Sequence, residues 1–225
     1  MKKQIEIRVP ESLNDITIKQ FVDYLTLHEP NERDIIKCFY GLTNSDLFEL
    51  DAKTGNYLLS QVKECLNEEP KLVRRFKLDG VLYGFIPNLD EMTYGEKLDL
   101  DEYINEPSQL ARLAAVLFRP IIEINEREQY LIEKYEGSEK HYKKLLNAPV
   151  GIVLGAKVFF YHLMKDLAKA IPDYLEKIMQ QESKTGLPNS TESLISYTSS
   201  QMKILEKQMK LPNYPYMKHF TGSNS

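Results

Sequence analysis

Tryptophan is absent from this chain of 225 residues, and cysteine and histidine are scarce. The two cysteines, Cys38 and Cys65, lie in helix-like surroundings without the spacing of metal ligands, so they predict reduced packing residues rather than a disulfide framework. The histidines form no H-x-x-x-H or H-E-x-x-H spacing and adjoin no nucleophile motif; they are His28, His141, His162 and His219. There is also no G-x-G-x-x-G and no P-loop. The sequence therefore predicts no cofactor.

An excess of basic charge is missing as well. The chain has 29 Lys and Arg against 33 Asp and Glu, which gives a net charge of −4 at pH 7 and a pI near 5.7. Without a basic excess there is no general attraction to nucleic acid. Basic clusters at 71–77 and 140–144, with Phe76 and Tyr142 among them, keep nucleic-acid binding possible. It is not favoured, because such clusters typically form a solvated face.

Long hydrophobic runs are also lacking. The most apolar segment, "APVGIVLGAKVFFYHLM" at 148–164, is shorter than the about 20 apolar residues that span a bilayer, and it contains Lys157. A lysine at the centre of a span costs about 3 kcal/mol on insertion. The segment therefore predicts a buried core helix and no membrane span. Gly151 and Gly155 within it, a G-x-x-x-G pair, indicate close packing.

The first seventy residues predict a short strand followed by a small helical cluster. The strand is expected at 3–9, where apolar and polar residues alternate. Thr17 and Gln20 form a capping-box signature at the start of the first helix. A second helix is expected to end near Tyr40 with Gly41 as its stop. A third should close before Pro70 and bury Leu58, Leu59, Val62 and Leu66.

The next segment carries a strong hairpin signal, with the whole hairpin expected near 73–87. Asp79 and Gly80 separate "RRFKL" from "VLYGFI", and a type I′ turn requires positive φ at both central positions. Phe76 and Leu78 should share one face of the first strand.

Beyond Glu106 the pattern predicts helices. An apolar stripe follows Pro107 and should end or kink at Pro120. A polar helix is expected at 126–135, and Ser138 is a suitable cap for another. The long apolar helix should then run from about 149 to 181, with a bend near Pro172.

These patterns together predict an α+β fold, mainly α-helical, with a helical body and one β-hairpin. The body should occupy residues 1–182. Residues 183–225 should be a C-terminal extension made of a polar linker, a helix and an aromatic arm. The arm ends in Tyr214, Tyr216 and Phe220, three aromatic residues suited to partner binding.

An ordered acidic run follows the hairpin in "DEMTYGEKLDLDEYI" at 90–104. If this segment is extended, alternate carboxylates could bind a divalent cation. This is the basis of a hypothesis that the protein is a metal-dependent enzyme, in which the metal is held by Asp99, Asp101 and Glu102 and reached by His141 or His162. The segment lacks a calcium-loop spacing and a nearby histidine, however, so a solvated run is favoured over a metal site.

The same run also has the layout of a docking segment. Gly95 would permit a tight turn, and Leu98, Leu100, Tyr103 and Ile104 would be apolar anchors. The carboxylates would keep the rim soluble or pair with Arg112 and Arg119 on the following helix. The predicted partner-binding residues here are Tyr94, Glu96, Leu98, Leu100 and Tyr103.

Three motifs in this part of the chain carry a resemblance to a known group of proteins. "TYGE" at 93–96, "DLDEY" at 99–103 and "FRPI" at 118–121 lie within "GFIPNLDEMTYGEKLDLDEYI", "LARLAAVLFRPI" and "VGIVLGAKVFFYHLMKDL". With these motifs the chain resembles small proteins from the structural gene blocks of tailed bacteriophages, particularly crAss-like phages, over about residues 10–180.

The resemblance implies a non-enzymatic role in the phage particle, as internal cargo or as a tail- or portal-associated component. It implies other phage structural proteins as partners, several copies per virion or a homo-oligomer, and location in the virion, with host cytoplasm as the place of assembly. An alternative is a tail-assembly chaperone that is absent from the mature virion. The metal-dependent enzyme described above is the alternative from another class.

Overall fold

The computed structural model describes residues 6–163 together with 165 and 166. They form an α+β fold, mainly helical, with one antiparallel sheet of four strands, so the predicted fold class is confirmed. The chain divides into two compact units; residues 6–157 belong to the first, and the described residues after 157 belong to the second. The predicted extension at 183–225, with Tyr214, Tyr216 and Phe220, lies outside the described residues.

The described α-helices and β-strands follow one another in a simple order. The helices are α1 Ile18–Leu25, α2 Glu32–Tyr40, α3 Asn44–Glu49, α4 Ala52–Leu66, α5 Tyr94–Tyr103, α6 Leu110–Leu117, α7 Tyr142–Leu145 and α8, which covers 150–163 and continues at 165–166. The strands are β1 Arg75–Leu78, β2 Val81–Phe85, β3 Phe118–Ile124 and β4 Tyr130–Ile132.

Side-chain caps define the starts of the N-terminal helices. Thr17 caps α1, and Gln20 completes the capping box as predicted. Asn31 and Thr43 cap α2 and α3 in the same way. Gly41 ends α2 with a φ of +67°, as predicted. The expected inward residues of α4 are all buried, whereas the sequence did not indicate the short helix α3 that precedes it.

The predicted strand at 3–9 is wrong for its described residues, which have no regular secondary structure. Ile7 and Val9 are half-buried while Glu6 and Arg8 are exposed. The alternation therefore comes from a segment that follows the protein surface, and no strand of the described sheet pairs with it.

The hairpin predicted at 73–87 is confirmed and forms half of the sheet. Asp79 and Gly80 have φ values of +48° and +81°, as the type I′ turn requires. β1 pairs with β2, β2 with β3 and β3 with β4, all antiparallel. Phe76 stacks on its cross-strand partner Tyr83 with ring centroids 5.3 Å apart, which places an aromatic cluster on the core face.

The second half of the sheet corrects two helix predictions. Helix α6 ends at Leu117, before Pro120, and the chain continues directly into β3, which contains that proline. The polar helix expected at 126–135 is wrong, because this segment forms a turn and β4. The Asn125 side chain accepts hydrogen bonds from the backbone N–H groups of Arg127 and Gln129, and this turn folds β4 back onto β3. Ser138 begins a single 3₁₀ turn.

The predicted remainder of the long apolar helix, 167–181 with its bend near Pro172, lies outside the described residues. Helix α8 begins at 150, close to the predicted 149, and the part of it in the first unit contains glycines that permit very close packing. Its buried residues in this unit include Val150, Ile152, Val153, Leu154 and Ala156. A Cβ atom on Gly155 would lie 2.1 Å from the backbone oxygen of Lys71, and one on Gly151 would lie 2.5 Å from Oδ1 of Asn14. Among the described residues, no helix is long and apolar enough to cross a membrane.

Both cysteines are free thiols, as predicted. Burial raises the pKa of Cys38 and of Cys65 to about 11. Thiols with so high a pKa are weak nucleophiles at neutral pH.

Candidate docking surface

The acidic run is a helix rather than an extended segment. The Thr93 hydroxyl accepts a hydrogen bond from the N–H of Glu96 at 3.2 Å, and the Glu96 carboxylate accepts one from the N–H of Thr93 at 2.6 Å. "TYGE" is therefore the capping box of α5. Gly95 lies in the first turn of the helix without a positive φ, so the tight turn expected there is wrong.

Helix α5 has an inner and an outer face. Glu96, Leu100 and Tyr103 follow the i, i+4, i+7 spacing of one face, and all three are buried. Tyr94 and Leu98 lie on another face with i, i+4 spacing, and their exposed fractions are 74% and 49%. Of the residues of this helix that were predicted to bind partners, Tyr94 and Leu98 are therefore accessible, whereas Glu96, Leu100 and Tyr103 are buried.

A buried ion pair fixes the inner face of α5 to the sheet. The Glu96 carboxylate contacts Nη1 of Arg119 on β3, and both side chains are almost fully buried. Pairing of carboxylates of the run with Arg119 was one of the two predicted alternatives, although Arg119 lies on a strand and not on the following helix. Desolvation raises the pKa of Glu96, but the hydrogen bonds from Thr93 and the Arg119 guanidinium outweigh it, so that the pKa lies below its ordinary value.

The guanidinium of Arg119 makes one further contact with a neighbouring segment. Its carbon atom lies 5.3 Å from the centre of the Tyr135 ring, within the range of a cation–π interaction. Nη1 contacts the Glu96 carboxylate, and Nε has no hydrogen-bond partner within the described part of the chain. Removing one member of such a buried pair costs about 3–5 kcal/mol.

Asp99 and Asp101 have different partners. Asp99 accepts a hydrogen bond from the hydroxyl of Tyr135, whose pKa is raised by burial and by this carboxylate. Asp101 pairs at 2.9 Å with Lys97, one helical turn earlier. Residues two apart on a helix do not face each other. The extended arrangement required by the metal hypothesis is therefore not present, and within the described residues no group of three His, Cys, Asp or Glu could hold a metal ion.

The other predicted charged groups lie in separate local networks. Among the described residues Arg112 forms no ion pair with a carboxylate of α5; it pairs with Glu139, and its guanidinium carbon lies 4.4 Å from the centre of the Tyr142 ring. Glu133 lies 2.9 Å from Nε2 of His141 and also pairs with Lys140. His141 is thus engaged away from the acidic run, while His162 lies in the second unit.

The two basic clusters are partly neutralised by neighbouring carboxylates. Arg75 pairs with Glu128 at 2.8 Å, and Lys140 pairs with Glu133 and Glu136. Pairing of this kind reduces the positive potential that a nucleic-acid surface requires.

A second surface was missed in the sequence. A cleft of about 310 Å³ lies among α2, α3 and α4, with Phe48 on its wall and Ile36 and Leu59 in its floor. The side chain of Phe48 is 79% exposed. The sequence signal that could have located this cleft is the capping box from Thr43 to Asp46. It starts α3 and thus sets the position of Phe48.

Comparisons with known proteins supply no relative of the chain. No protein-family model, no curated protein and no solved structure matches the chain.

Proposed function

We propose that the chain is a non-enzymatic, virion-associated protein of a tailed phage that acts through multivalent protein–protein contacts. The observation that supports this most is the outer face of α5, which exposes an aromatic and an aliphatic side chain one helical turn apart, Tyr94 and Leu98. Exposed apolar pairs at this spacing are the anchors by which helices bind apolar grooves. The resemblance in the TYGE and DLDEY motifs covers the same helix.

The structure of α5 favours binding with little loss of conformational freedom. Its inner face is fixed by the pair of Glu96 and Arg119 and by the bond from Tyr135 to Asp99. The helix therefore presents Tyr94 on a rigid support, and a tyrosine buries much area while few rotatable bonds become ordered. The exposed pair of Lys97 and Asp101 beside it provides a polar rim.

One pair of anchors gives only weak binding, so several copies are required for stable attachment. Linked contacts raise the effective concentration and can increase overall affinity by about 10²–10⁴-fold. The proposed partners are therefore other structural proteins of the particle, bound by multiple copies or by a homo-oligomer, as internal cargo or as a tail- or portal-associated component. A tail-assembly chaperone would use the same surface and then leave the virion.

Substitution of the two anchors tests this proposal. In the phage that encodes the chain, Tyr94→Ser with Leu98→Ser should remove the protein from purified particles while leaving it folded, because both side chains are exposed. The matched control is Lys97→Ser with Asp101→Ser, which alters the same helix face without removing an apolar anchor and should still be incorporated. Incorporation of the anchor variant at the wild-type level would contradict the proposal.

A further inference from the structure

The cleft among α2, α3 and α4 has an apolar interior. Ile36 and Leu59 are buried in its floor, Leu47 is half-buried, and Phe48 projects from α3 at its wall. The guanidinium carbon of Arg33 lies 5.9 Å from the centre of the Phe48 ring. An aromatic residue that is 79% exposed beside an apolar floor is typical of a binding cleft rather than of a closed core.

The cleft is lined by two carboxylates, Glu32 and Asp51, and one basic side chain, Arg33, and most of its lining comes from an acidic segment of the chain. Between residues 29 and 51 the chain has six carboxylates and two basic side chains. Asp34 and Asp46 act within capping boxes and Asp51 caps α4, whereas Glu29, Glu32 and Glu49 are exposed to solvent. This charge favours a basic occupant with apolar side chains.

Gly55 leaves one wall of the cleft open. It lies inside α4, where glycine is a poorer helix former than alanine, and it lines the cleft. A Cβ atom there would contact only Cδ2 of Leu50 at an ordinary 3.8 Å, and its φ is not positive. Neither the backbone nor the packing of the described residues requires glycine. The absence of a side chain leaves space in the cleft at this position.

We infer that the cleft binds residues 201–220 of a second copy of this chain. That segment has four lysines and one glutamate, so its charge complements the acidic cleft. It also contains Tyr214, Tyr216 and Phe220, with apolar residues before them that match the floor. The inference rests on the proposed multi-copy function and names one contact that would join the copies.

The contact is heterologous, because a cleft on one copy meets a different segment on the next. Contacts of this type build rings or open chains. Each copy supplies one cleft and one basic segment, so each interior copy makes two contacts and the number of contacts grows with the number of copies. This provides the multivalency that the proposed function requires.

Photo-crosslinking of the full chain tests the contact directly. With p-benzoylphenylalanine in place of Phe48, illumination of an equal mixture of ¹⁵N-labelled and unlabelled protein should give covalent dimers. Mixed-isotope crosslinks should map to residues 201–220. The control carries the same group in place of Tyr94 on α5 and should not capture this segment. Absence of crosslinks, attachment elsewhere, or crosslinks only within one chain would overturn the inference.

Two matched glycine substitutions separate binding from stability. In the Phe48 crosslinking background, Gly55→Ala should raise the melting temperature by about 1–4 °C, because alanine favours the helix, yet reduce the crosslinked dimer about tenfold. Gly95→Ala, also in a helix and with no atom within 4 Å of the new Cβ, should leave the dimer yield unchanged. An unchanged yield for Gly55→Ala would overturn the inference. Neither result depends on whether the protein is found in virions, so failure of this contact is distinguishable from failure of the proposed function.

Discussion

Gly155→Ala is the substitution for which the structure predicts the clearest loss of stability. The new Cβ would lie 2.1 Å from the backbone oxygen of Lys71, 2.5 Å from its carbonyl carbon and 3.0 Å from the nitrogen of Leu72. These are backbone atoms, so no side chain can rotate away to relieve the contact. Either α8 or the segment around Lys71 must move.

The magnitude follows from two opposing effects. Overpacking of a well-packed core costs about 1–3 kcal/mol, and the upper end applies here because the contact is with backbone. Replacing a helical glycine by alanine returns about 1 kcal/mol of helix propensity. The expected net effect is a loss of about 2 kcal/mol in the free energy of unfolding.

Two other glycines provide matched controls in the same protein. Gly95→Ala meets no atom within 4 Å and should stabilise by about 0.5–1 kcal/mol. Gly151→Ala would meet the exposed side chain of Asn14, which can rotate away, so its effect should lie between the other two.

Denaturant unfolding followed by circular dichroism at 222 nm measures all three variants, because the folded protein is mainly helical and contains no tryptophan. A Gly155→Ala variant as stable as the wild type would refute the packing of α8 against Lys71.

Three further predictions concern the ion pair, the extension and metal binding. Glu96→Gln should lose about 3 kcal/mol of stability because Arg119 is left buried without its partner. The folded-state pKa of Glu96 lies below its ordinary 4.5, so the extra stability of the wild type over this variant should be complete above pH 4.5 and shrink as the pH falls through the lowered value. Urea unfolding of both proteins at pH 7 and pH 3 measures this. The same difference in the free energy of unfolding at both pH values would contradict the assignment. A chain ending at Lys184 should melt within a few degrees of the full chain and fail to assemble, and a truncated chain that does not fold would show that the extension belongs to the core. Calorimetric titration with Mg²⁺ should give no stoichiometric binding, whereas binding that Asp99→Asn with Asp101→Asn removes would support the enzyme alternative.

The parts of the fold that the sequence predicted are those set by local chemistry. Thr17 with Gln20 defines a helix start because both groups satisfy backbone N–H groups within one turn. Asp79 with Gly80 defines a hairpin because the turn requires two positive φ values in succession. Neither feature depends on the rest of the chain.

The parts of the fold that the sequence did not predict depend on contacts between residues far apart in the chain, or on an apolar spacing that fits both a strand and a helix. Tyr130 lies in a polar stretch that resembled a helix, but its hydroxyl donates hydrogen bonds to the backbone oxygens of Phe85 and Arg74, which come from the first hairpin. In the acidic run, Leu98 and Leu100 have the i, i+2 spacing of one strand face, whereas Leu100 and Tyr103 have the i, i+3 spacing of one helix face. The capping box of Thr93 and Glu96 favours the helix, and it could have been recognised from the sequence.

The same ambiguity explains how much of the candidate surface could be predicted. Tyr94, Leu98, Leu100 and Tyr103 were all expected to bind partners because their spacing alone does not reveal which face is buried. The position of Arg119 decides which face of α5 is buried, because the ion pair turns Glu96 inward and leaves Tyr94 and Leu98 exposed. That position depends on β3, which the sequence had assigned to the end of a helix.

Quantitative mass spectrometry of purified particles of the tailed phage that the proposed function implies tests the central claim most directly. The proposed function predicts peptides of this chain at several copies per virion, measured against a capsid protein of known copy number. Detection only in assembly intermediates would support the chaperone alternative. Complete absence from finished virions would contradict the claim that the protein is a virion component.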